Sequence, residues 1–392
     1  TLTNLNAGNS NTAVGSNALQ ETTASDNTAV GMHALKQTTS GGYNTAVGRR
    51  ALEENTTGQY NTAIGGLALD ANTTADGNTA VGYNAMSANT TGTQNVAFGT
   101  NALDASTTGS DITAIGYEAL TNSTTGGSNT ALGHRALMKN TTGASNAAGG
   151  REALRENTTG QQNTAFGAFA LDALTTGTNC TAVGYNALTD ATGIHNTAIG
   201  ESAGSNITTG TNNTCLGKFA RPHLVDATDQ IVIGSETQGV GNHHVTIGRS
   251  NGSNRIYNNF NSNATWTRVS DIRWKKDIQT NTDLGLDFIN DLRTVTYKWK
   301  APSELDSSLP SYDANKTEAT YTNKMYGFIA QEVKQALDDH NITDFSGWNV
   351  TEEDVPIQGI SYEMFVMPLV KAVQELSAEN AALKARLDAA GL

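Results

Sequence analysis

Small apolar residues recur along the first 250 residues with a period of 17 nearly throughout, and the short apolar run of each unit closes on a glycine. The consensus is Asn-Thr-Ala-(Val/Ile/Phe/Leu)-Gly-x-x-Ala-Leu-x-x-x-Thr-Thr-Gly-x-x. A fixed period of this kind is the signature of a solenoid, in which each unit is one coil stacked on the next. The closing glycines, called the repeat glycines below, are Gly15, Gly31, Gly48, Gly65, Gly82, Gly99, Gly116, Gly133, Gly150, Gly167, Gly184, Gly200, Gly217, Gly234 and Gly248.

The pattern within a unit predicts β-structure rather than helix. A short run such as Thr62-Ala63-Ile64 precedes the glycine, an apolar pair such as Ala68-Leu69 follows it, and a Thr-Thr-Gly turn signal ends the unit. Two turn signals leave no room for a helix pair but suit a coil of two short strands. We expect Val/Ile to stack on Val/Ile and Leu on Leu, giving a thin continuous core. Proline would remove a ladder donor, and none occurs before Pro222.

The asparagine that opens each unit would stack in register with its neighbours. We expect it to form a turn-stabilising ladder of side-chain amides, with a row of ligand-binding amides as the alternative. The column contains Asn44, Asn61, Asn78, Asn95, Asn129 and Asn163.

The paired threonines raise ice binding as another alternative. Adjacent threonines on a strand point to opposite faces, whereas a flat ice-binding face needs them at i and i+2, so this alternative is disfavoured. The Asn-Thr-Thr triplets at Asn55, Asn89, Asn140 and Asn157 match the glycosylation pattern, but they follow from the repeat. A coil this thin also leaves one face uncovered, which threefold association would cover.

The repeat decays after Gly217, and we place three regions on the chain. Residues 1–250 form the repetitive β-solenoid shaft, 251–269 a connector, and 270–392 an α+β domain. In the connector, Tyr257, Phe260 and Trp266 are candidates for packing between subunits. His243 and His244 lack the ligand spacing of a metal site, so we predict surface histidines and no metal.

The apolar pattern near the C-terminus changes to a heptad repeat, and predicts a helix over about 364–390. The a and d positions alternate strictly over three heptads with a charged outer face, which favours a coiled coil over an intramolecular core helix, and we predict a triple-stranded one. A second amphipathic helix is predicted over Gly327–Leu337. The seam is Val366, Leu369, Val373, Leu376, Asn380, Leu383 and Leu387, with Asn380 at an a position.

Composition and charge exclude several classes of protein. The formal net charge of −13 divides into −5 for residues 1–269 and −8 for 270–392, so neither part has the basic field that nucleic-acid binding needs. No run approaches the roughly 20 apolar residues of a membrane span, and no signal peptide opens the chain. Because it opens on Thr1, we expect a fragment of a longer protein. The two cysteines, Cys180 and Cys215, fall in different columns and predict no disulfide.

The segment Ser270-Asp271-Ile272-Arg273-Trp274-Lys275-Lys276-Asp277-Ile278 carries the chemistry. It is similar to the Ser-Asp-x-Arg-x-Lys-x-x-Ile opening of the intramolecular chaperone domain of endosialidases and phage tail fibres, peptidase family S74. Asp271, Arg273 and Ile278 support the motif. Further matching stretches are Leu292–Trp299, Tyr326–Val333 with Gly327, Phe328, Gln331 and Glu332, Ser361-Tyr362, and Val366–Leu376.

This resemblance implies a trimeric domain that nucleates assembly of the β-structured fibre before it and then cleaves itself off. The cut would fall between Val269 and Ser270, with Ser270 as nucleophile and Lys275 as general base. A serine hydroxyl needs a base to accept its proton, and a Ser–Lys pair can supply one. Lys275 must be neutral for that role, so its pKa must be lowered, by burial near cations such as Arg273 and Lys276.

The Asn-Thr-Ala-Val-Gly units and His244–Gly248 resemble the β-roll head repeats of trimeric autotransporter adhesins, which implies a trimeric β-roll shaft; the 17-residue period departs from that family. We therefore expect a homotrimeric phage tail fibre or spike, located in the virion and assembled in the host cytoplasm. It would attach to a host cell-surface receptor, a glycan or another outer-surface component. We expect single-turnover autoproteolysis, no cofactor, no nucleic-acid partner and no membrane insertion. The alternatives are a bacterial trimeric adhesin and a self-cleaving non-phage protein of the myelin regulatory factor kind.

Overall fold

The computed structural model describes residues 8–250, 255–259, 267–268, 272, 276–309, 311–319, 323–350 and 356–391. The chain divides into two compact units, Thr1–Trp274 and Lys275–Leu392. The first is a parallel β-solenoid of about 14 coils, and the second is a small α+β unit that ends in a helix. The predicted fold class is confirmed, while association into a trimer and a coiled coil stays a prediction.

Each coil of the solenoid contributes one three-residue strand. The strands are β1 Thr12–Val14, β2 Thr28–Val30, β3 Thr45–Val47, β4 Thr62–Ile64, β5 Thr79–Val81, β6 Val96–Phe98, β7 Thr113–Ile115, β8 Thr130–Leu132, β9 Ala147–Gly149, β10 Thr164–Phe166, β11 Thr181–Val183, β12 Thr197–Ile199, β13 Thr214–Leu216 and β14 Ile231–Ile233. Neighbouring strands pair in parallel and in register, so that Ala46 pairs with Ala63 and Val47 with Ile64. One sheet therefore runs along the whole solenoid.

The sheet changes direction after its last coil. Strand β15 (His244–Gly248) pairs in parallel with β14, and β16 (Arg255–Asn259) then pairs antiparallel with β15. Strand β17 (Thr267–Arg268) continues antiparallel to β16. These described parts of the predicted connector thus extend the solenoid sheet. Phe260 and Trp266 lie outside the described residues.

The second half of each coil differs from the prediction. We expected two short strands per coil, but in the described coils the Ala-Leu pair lies in successive turns instead. Leu52, for example, has a φ of 51° and Leu103 a φ of 56°. A left-handed backbone crowds side chains branched at Cβ, which explains why this column holds Leu or Met from Leu19 to Leu188 and contains no Val or Ile.

The core is also built differently from the prediction. Val and Ile do stack on one another between coils, but on the outside: Ile64 is 41% exposed and Phe98 56%. The alanine of each strand points inward with the leucine of the turn, and Ala46 and Leu52 are both fully buried. Side chains alternate across a strand, so the inward alanine forces its neighbours outward. The inward residue is alanine in every strand from β1 to β12, and Cys215 and Val232 take its place in β13 and β14.

The predicted amide ladder is confirmed by its hydrogen bonds. The Oδ1 of Asn44 accepts the backbone N–H of Asn61 at 2.9 Å, and the Nδ2 of Asn44 donates to the carbonyl oxygen of Gly58 at 2.9 Å. The same pair of bonds links most successive coils, and the asparagines are buried. Each amide thus satisfies backbone groups that would otherwise be buried unpaired. Ile112 and Cys180 interrupt this column.

A second column of asparagines was not predicted as structural. The Nδ2 of Asn72 donates to Oδ1 of Asn55 at 2.9 Å, and that of Asn157 donates to Oδ1 of Asn140 at 2.8 Å. These asparagines and Asn89 are fully buried, so the folded chain does not offer them for glycosylation.

The repeat glycines lie where successive coils touch. Gly65 has a φ of +138°, and a Cβ added there would lie 2.3 Å from the carbonyl oxygen of Gly82. A side chain at this position is excluded both by the backbone conformation and by the next coil. Gly66 is different, because an added Cβ would lie 3.5 Å from the ring of Tyr83, which is ordinary contact.

The described residues of the second unit form three α-helices, two short 3-10 helices and two small antiparallel sheets. The α-helices are α1 Leu286–Asp291, α2 Ala330–Asp339 and α3 Val366–Ala390. Strand β18 (Val295–Tyr297) pairs with β19 (Met325–Gly327), and β20 (Trp348–Val350) pairs with β21 (Gln358–Ile360). Helix α2 begins three residues later than predicted, because Gly327 belongs to β19. The core is a cluster of Phe288, Val333, Ala336, Leu337 and Phe365.

The adjacent glycines of one coil give a matched test of coil stacking. We expect Gly65→Ala to destabilise the solenoid by roughly 2–4 kcal/mol, since it combines backbone strain with overlap on the next coil. Gly66→Ala should change the stability by about 1 kcal/mol or less. The measurement is the midpoint of thermal unfolding followed by circular dichroism. Equal midpoints for the two variants would contradict the stacking described here.

Candidate functional site

The residues predicted to cut the chain fall outside the described part of the structure. Val269, Ser270, Asp271, Arg273 and Lys275 all lie there, so the Ser–Lys pair stays a prediction. Ile278, the last residue of that motif, is described and is 60% exposed.

The other motif residues meet in the second unit. Gly327, the last residue of β19, lies against the side chain of Tyr362. A Cβ added to Gly327 would lie 2.2 Å from the Tyr362 hydroxyl oxygen. The same hydroxyl oxygen accepts the backbone N–H of Phe328 at 3.1 Å. The Phe328 ring stacks on that of Tyr362, with centroids 5.8 Å apart, and contacts Phe365 at 5.3 Å. Two motifs separated in sequence thus form one packed cluster.

An ion pair links a third motif to this cluster. The Nε of Arg293 donates to Oε2 of Glu332 at 3.0 Å, and a second guanidinium nitrogen donates to Oε1. These hydrogen bonds lower the pKa of the Glu332 carboxyl. Both side chains are well exposed, so the contribution to stability is small. The pair instead fixes the start of α2 against the chain that enters β18.

Gln331 lies in the wall of an open groove of about 870 Å³ next to this cluster. Residues of β18 and β21 line the groove together with Phe328–Gln331 and Tyr362. Among the described residues that line it there is no cysteine, histidine or carboxylate. The described part of the chain also holds no group of three or more ligating side chains placed for a metal ion.

Helix α3 presents two faces with different surroundings. Pro368 and Ala372 are buried against the rest of the unit. The carboxylate of Glu375 accepts the backbone N–H of Leu286, at the start of α1, at 2.6 Å. The aliphatic residues of the predicted seam point elsewhere and are exposed in their own unit: Val366, Leu369, Val373, Leu376, Leu383 and Leu387. Asn380 is exposed with them. The seam is therefore not a core face of this unit.

Comparison with protein families gives a match over residues 270–342, to the family described as chaperone of endosialidase, Peptidase S74. Most of the matched residues lie in the second unit. The match begins at Ser270 and covers the motifs of β18, β19 and α2, but ends before β20 and α3. Neither the curated proteins nor the solved structures gave a match to the chain. The matched family is protease-related and implies autoprocessing, and the match together with the solenoid fits an endosialidase-type fibre.

Sequence reasoning missed the contact that holds α3 against the S74 segment. Helix α1 has no side-chain cap of its own, because its N-cap residue is Gly285. Glu375 supplies that cap from α3, and a Cβ on Gly285 would lie 2.2 Å from its carboxylate oxygen. The only sequence signal is a glycine where Ser, Thr or Asp is preferred. Among the described residues, no helix is long and apolar enough to cross a bilayer.

The contact between Glu375 and the start of α1 predicts that the packing of α3 on α1 weakens at acid pH. The hydrogen bond from Leu286, with help from Lys371, lowers the pKa of the Glu375 carboxyl. A carboxyl with a lowered folded-state pKa contributes stability above its ordinary pKa, about 4.3, and that contribution is lost as the pH falls through the folded-state value.

We expect Glu375→Gln to weaken α3 docking at neutral pH and to remove this part of the acid dependence. Hydrogen exchange of the α1 amides between pH 3 and pH 7 measures it. The control is Glu379→Gln, one turn further along the exposed helix. If both variants retain wild-type protection at neutral pH, Glu375 does not cap α1.

Proposed function

We propose that this protein is a self-processing, trimeric fibre protein whose C-terminal unit drives assembly and then cleaves itself off between Val269 and Ser270. The observation that carries the proposal is the Peptidase S74 match beginning at Ser270, directly after a parallel β-solenoid. The repetitive shaft precedes this segment in the sequence. This order favours a chaperone that acts on the assembly of the shaft.

The proposed chemistry uses two side chains of the chain itself. Neutral Lys275 accepts the proton of the Ser270 hydroxyl, whose Oγ attacks the carbonyl carbon of Val269. The Val269–Ser270 peptide bond breaks as an ester forms on Oγ, and the released amine of Ser270 takes up a proton. Water then hydrolyses the ester, leaving a carboxylate on Val269 and restoring the hydroxyl. The reaction runs once per chain and needs no cofactor.

Assembly is proposed to involve the exposed seam of α3. Six aliphatic side chains at a and d positions face water in the single unit, which favours association with the same helix of other copies. The seam alone does not favour three copies, because Val at a with Leu at d is the pattern of two-stranded coiled coils. The number three rests on the family resemblance and on the shaft.

We further propose that the fibre belongs to a phage tail and attaches the virion to a host surface component. The support is the combination of an elongated repeat with an endosialidase-type chaperone. A bacterial surface adhesin would instead be found on cells, so peptide mass spectrometry of purified virions and of cell envelopes separates the two.

The processing proposal predicts the fate of single substitutions. Ser270→Ala and Lys275→Ala should each leave one full-length band on a denaturing gel, since the first removes the nucleophile and the second the base. The wild-type chain should give two fragments, the smaller beginning at Ser270 by mass spectrometry. Ser307→Ala, which alters an exposed serine of the same unit, is the control and should process normally. Processing that survives both dyad substitutions removes this pair from the mechanism.

A further inference from the structure

The outer face of the solenoid sheet carries a continuous apolar stripe. It consists of the residues one and three positions before each repeat glycine, and is called the outer stripe below. The position before the glycine is aliphatic or aromatic in every coil except at Gly149, and the other position is mostly threonine. Val14, Phe98 and Ile199 are 58%, 56% and 45% exposed. In the described solenoid these side chains lie outside the buried core cluster.

Charge separates the outer stripe from the neighbouring surface. From Thr12 to Ile247 neither of its two columns contains a charged residue. Charged residues begin just past the glycine, for example Arg151 and Glu152, which pair with each other at 3.2 Å. An uncharged apolar strip beside ion pairs is typical of a surface that another protein covers.

The area of the outer stripe approaches that of a protein interface. Fourteen strands at about 4.8 Å make it roughly 60 Å long, and three residues make it about 10 Å wide, which gives on the order of 600 Å². About half of this area belongs to the mostly threonine column, so the aliphatic and aromatic part lies within the range of apolar patches on typical monomers, about 300–600 Å². The whole stripe is near the roughly 800 Å² that each partner buries in a stable interface.

We propose that the outer stripe is covered by the outer stripes of other copies of this chain, packed in parallel around a common axis. The assignment rests on the proposed trimeric fibre and names the surface that its shaft uses. A partner must match aliphatic rows spaced by one coil over the whole solenoid, and another copy carries that repeat. The second unit exposes its own apolar seam on α3, so both units present a surface for self-association.

The stripe gives adhesion along the shaft but little information on axial register. Rows of Val, Ile and Leu are nearly equivalent. If one copy shifts along the axis by one coil relative to its neighbour, each aliphatic side chain therefore meets another of similar size. The Gly149 row does not leave a gap, because the Phe166 ring already lies over it: an added Cβ would be 2.5 Å from Cδ1 of Phe166. Phe98, with Val96 in place of threonine, is one of the few rows that depart from the others. Register must therefore be set mainly outside the stripe.

Single cysteines placed on different faces test the assignment. Ile115→Cys lies on the outer stripe, whereas Thr142→Cys lies on an exposed turn of another face. The native thiols should not interfere, because Cys180 and Cys215 are fully buried and burial raises the pKa of Cys215 to about 12. Both variants are made in full-length Ser270→Ala protein, sized by light scattering, and treated with a short bismaleimide.

We expect Ile115→Cys to give a cross-linked band of twice the chain mass and Thr142→Cys to give none. A particle of three copies without a cross-link at Ile115→Cys, or with one at Thr142→Cys alone, overturns the outer stripe as the interface and leaves the proposed function standing. Single chains by light scattering for both variants overturn the self-association on which the inference rests.

Discussion

Successive coils of the solenoid touch at the repeat glycines, and the rest of the shaft depends on this contact. The backbone of one coil lies so close to the next that Gly65 has no room for a Cβ. The amide of Asn44 then spans the same gap at the other end of the strand, bonding to backbone groups of the following coil. Because nearly every coil makes both contacts, with the amide replaced only at Ile112 and Cys180 among the coils from Asn11 to Asn213, each coil repeats the backbone of the last. The left-handed turns and the inward alanines follow from that single geometry.

The period, the parallel stacking and the asparagine ladder could be predicted from the sequence, because each leaves a direct mark at a fixed spacing. Which residues of a coil point inward and which point outward could not be predicted. Hydrophobicity alone assigns Val47 to the core and Ala46 to an indifferent position, yet Ala46 is the residue that is fully buried and Val47 is 36% exposed. The turns were also missed, because an Ala-Leu pair gives no sign that the leucine adopts a left-handed backbone conformation. The absence of β-branched residues from that column was the available signal.

The second unit shows the same division. The helix at the C-terminus was predictable from its heptads, and the structure has it as Val366–Ala390. The Glu375 cap on α1 was not, because its partners are 89 residues apart in sequence. The Ser270–Lys275 pair stays a prediction, carried by the family match. Under the proposed function the two units have different roles. The shaft provides contacts between copies along its whole length, and the C-terminal unit sets the axial register of the copies. Loss of that unit after assembly would leave the shaft kinetically trapped, with no easy route to reassemble once separated.

Native mass spectrometry of the purified wild-type protein tests this account most directly, since it reports the number of copies and the end of each chain together. The account predicts a particle of three shafts, each ending at Val269, with the fragment that begins at Ser270 either released or still bound. Single intact chains of 41.0 kDa would contradict it.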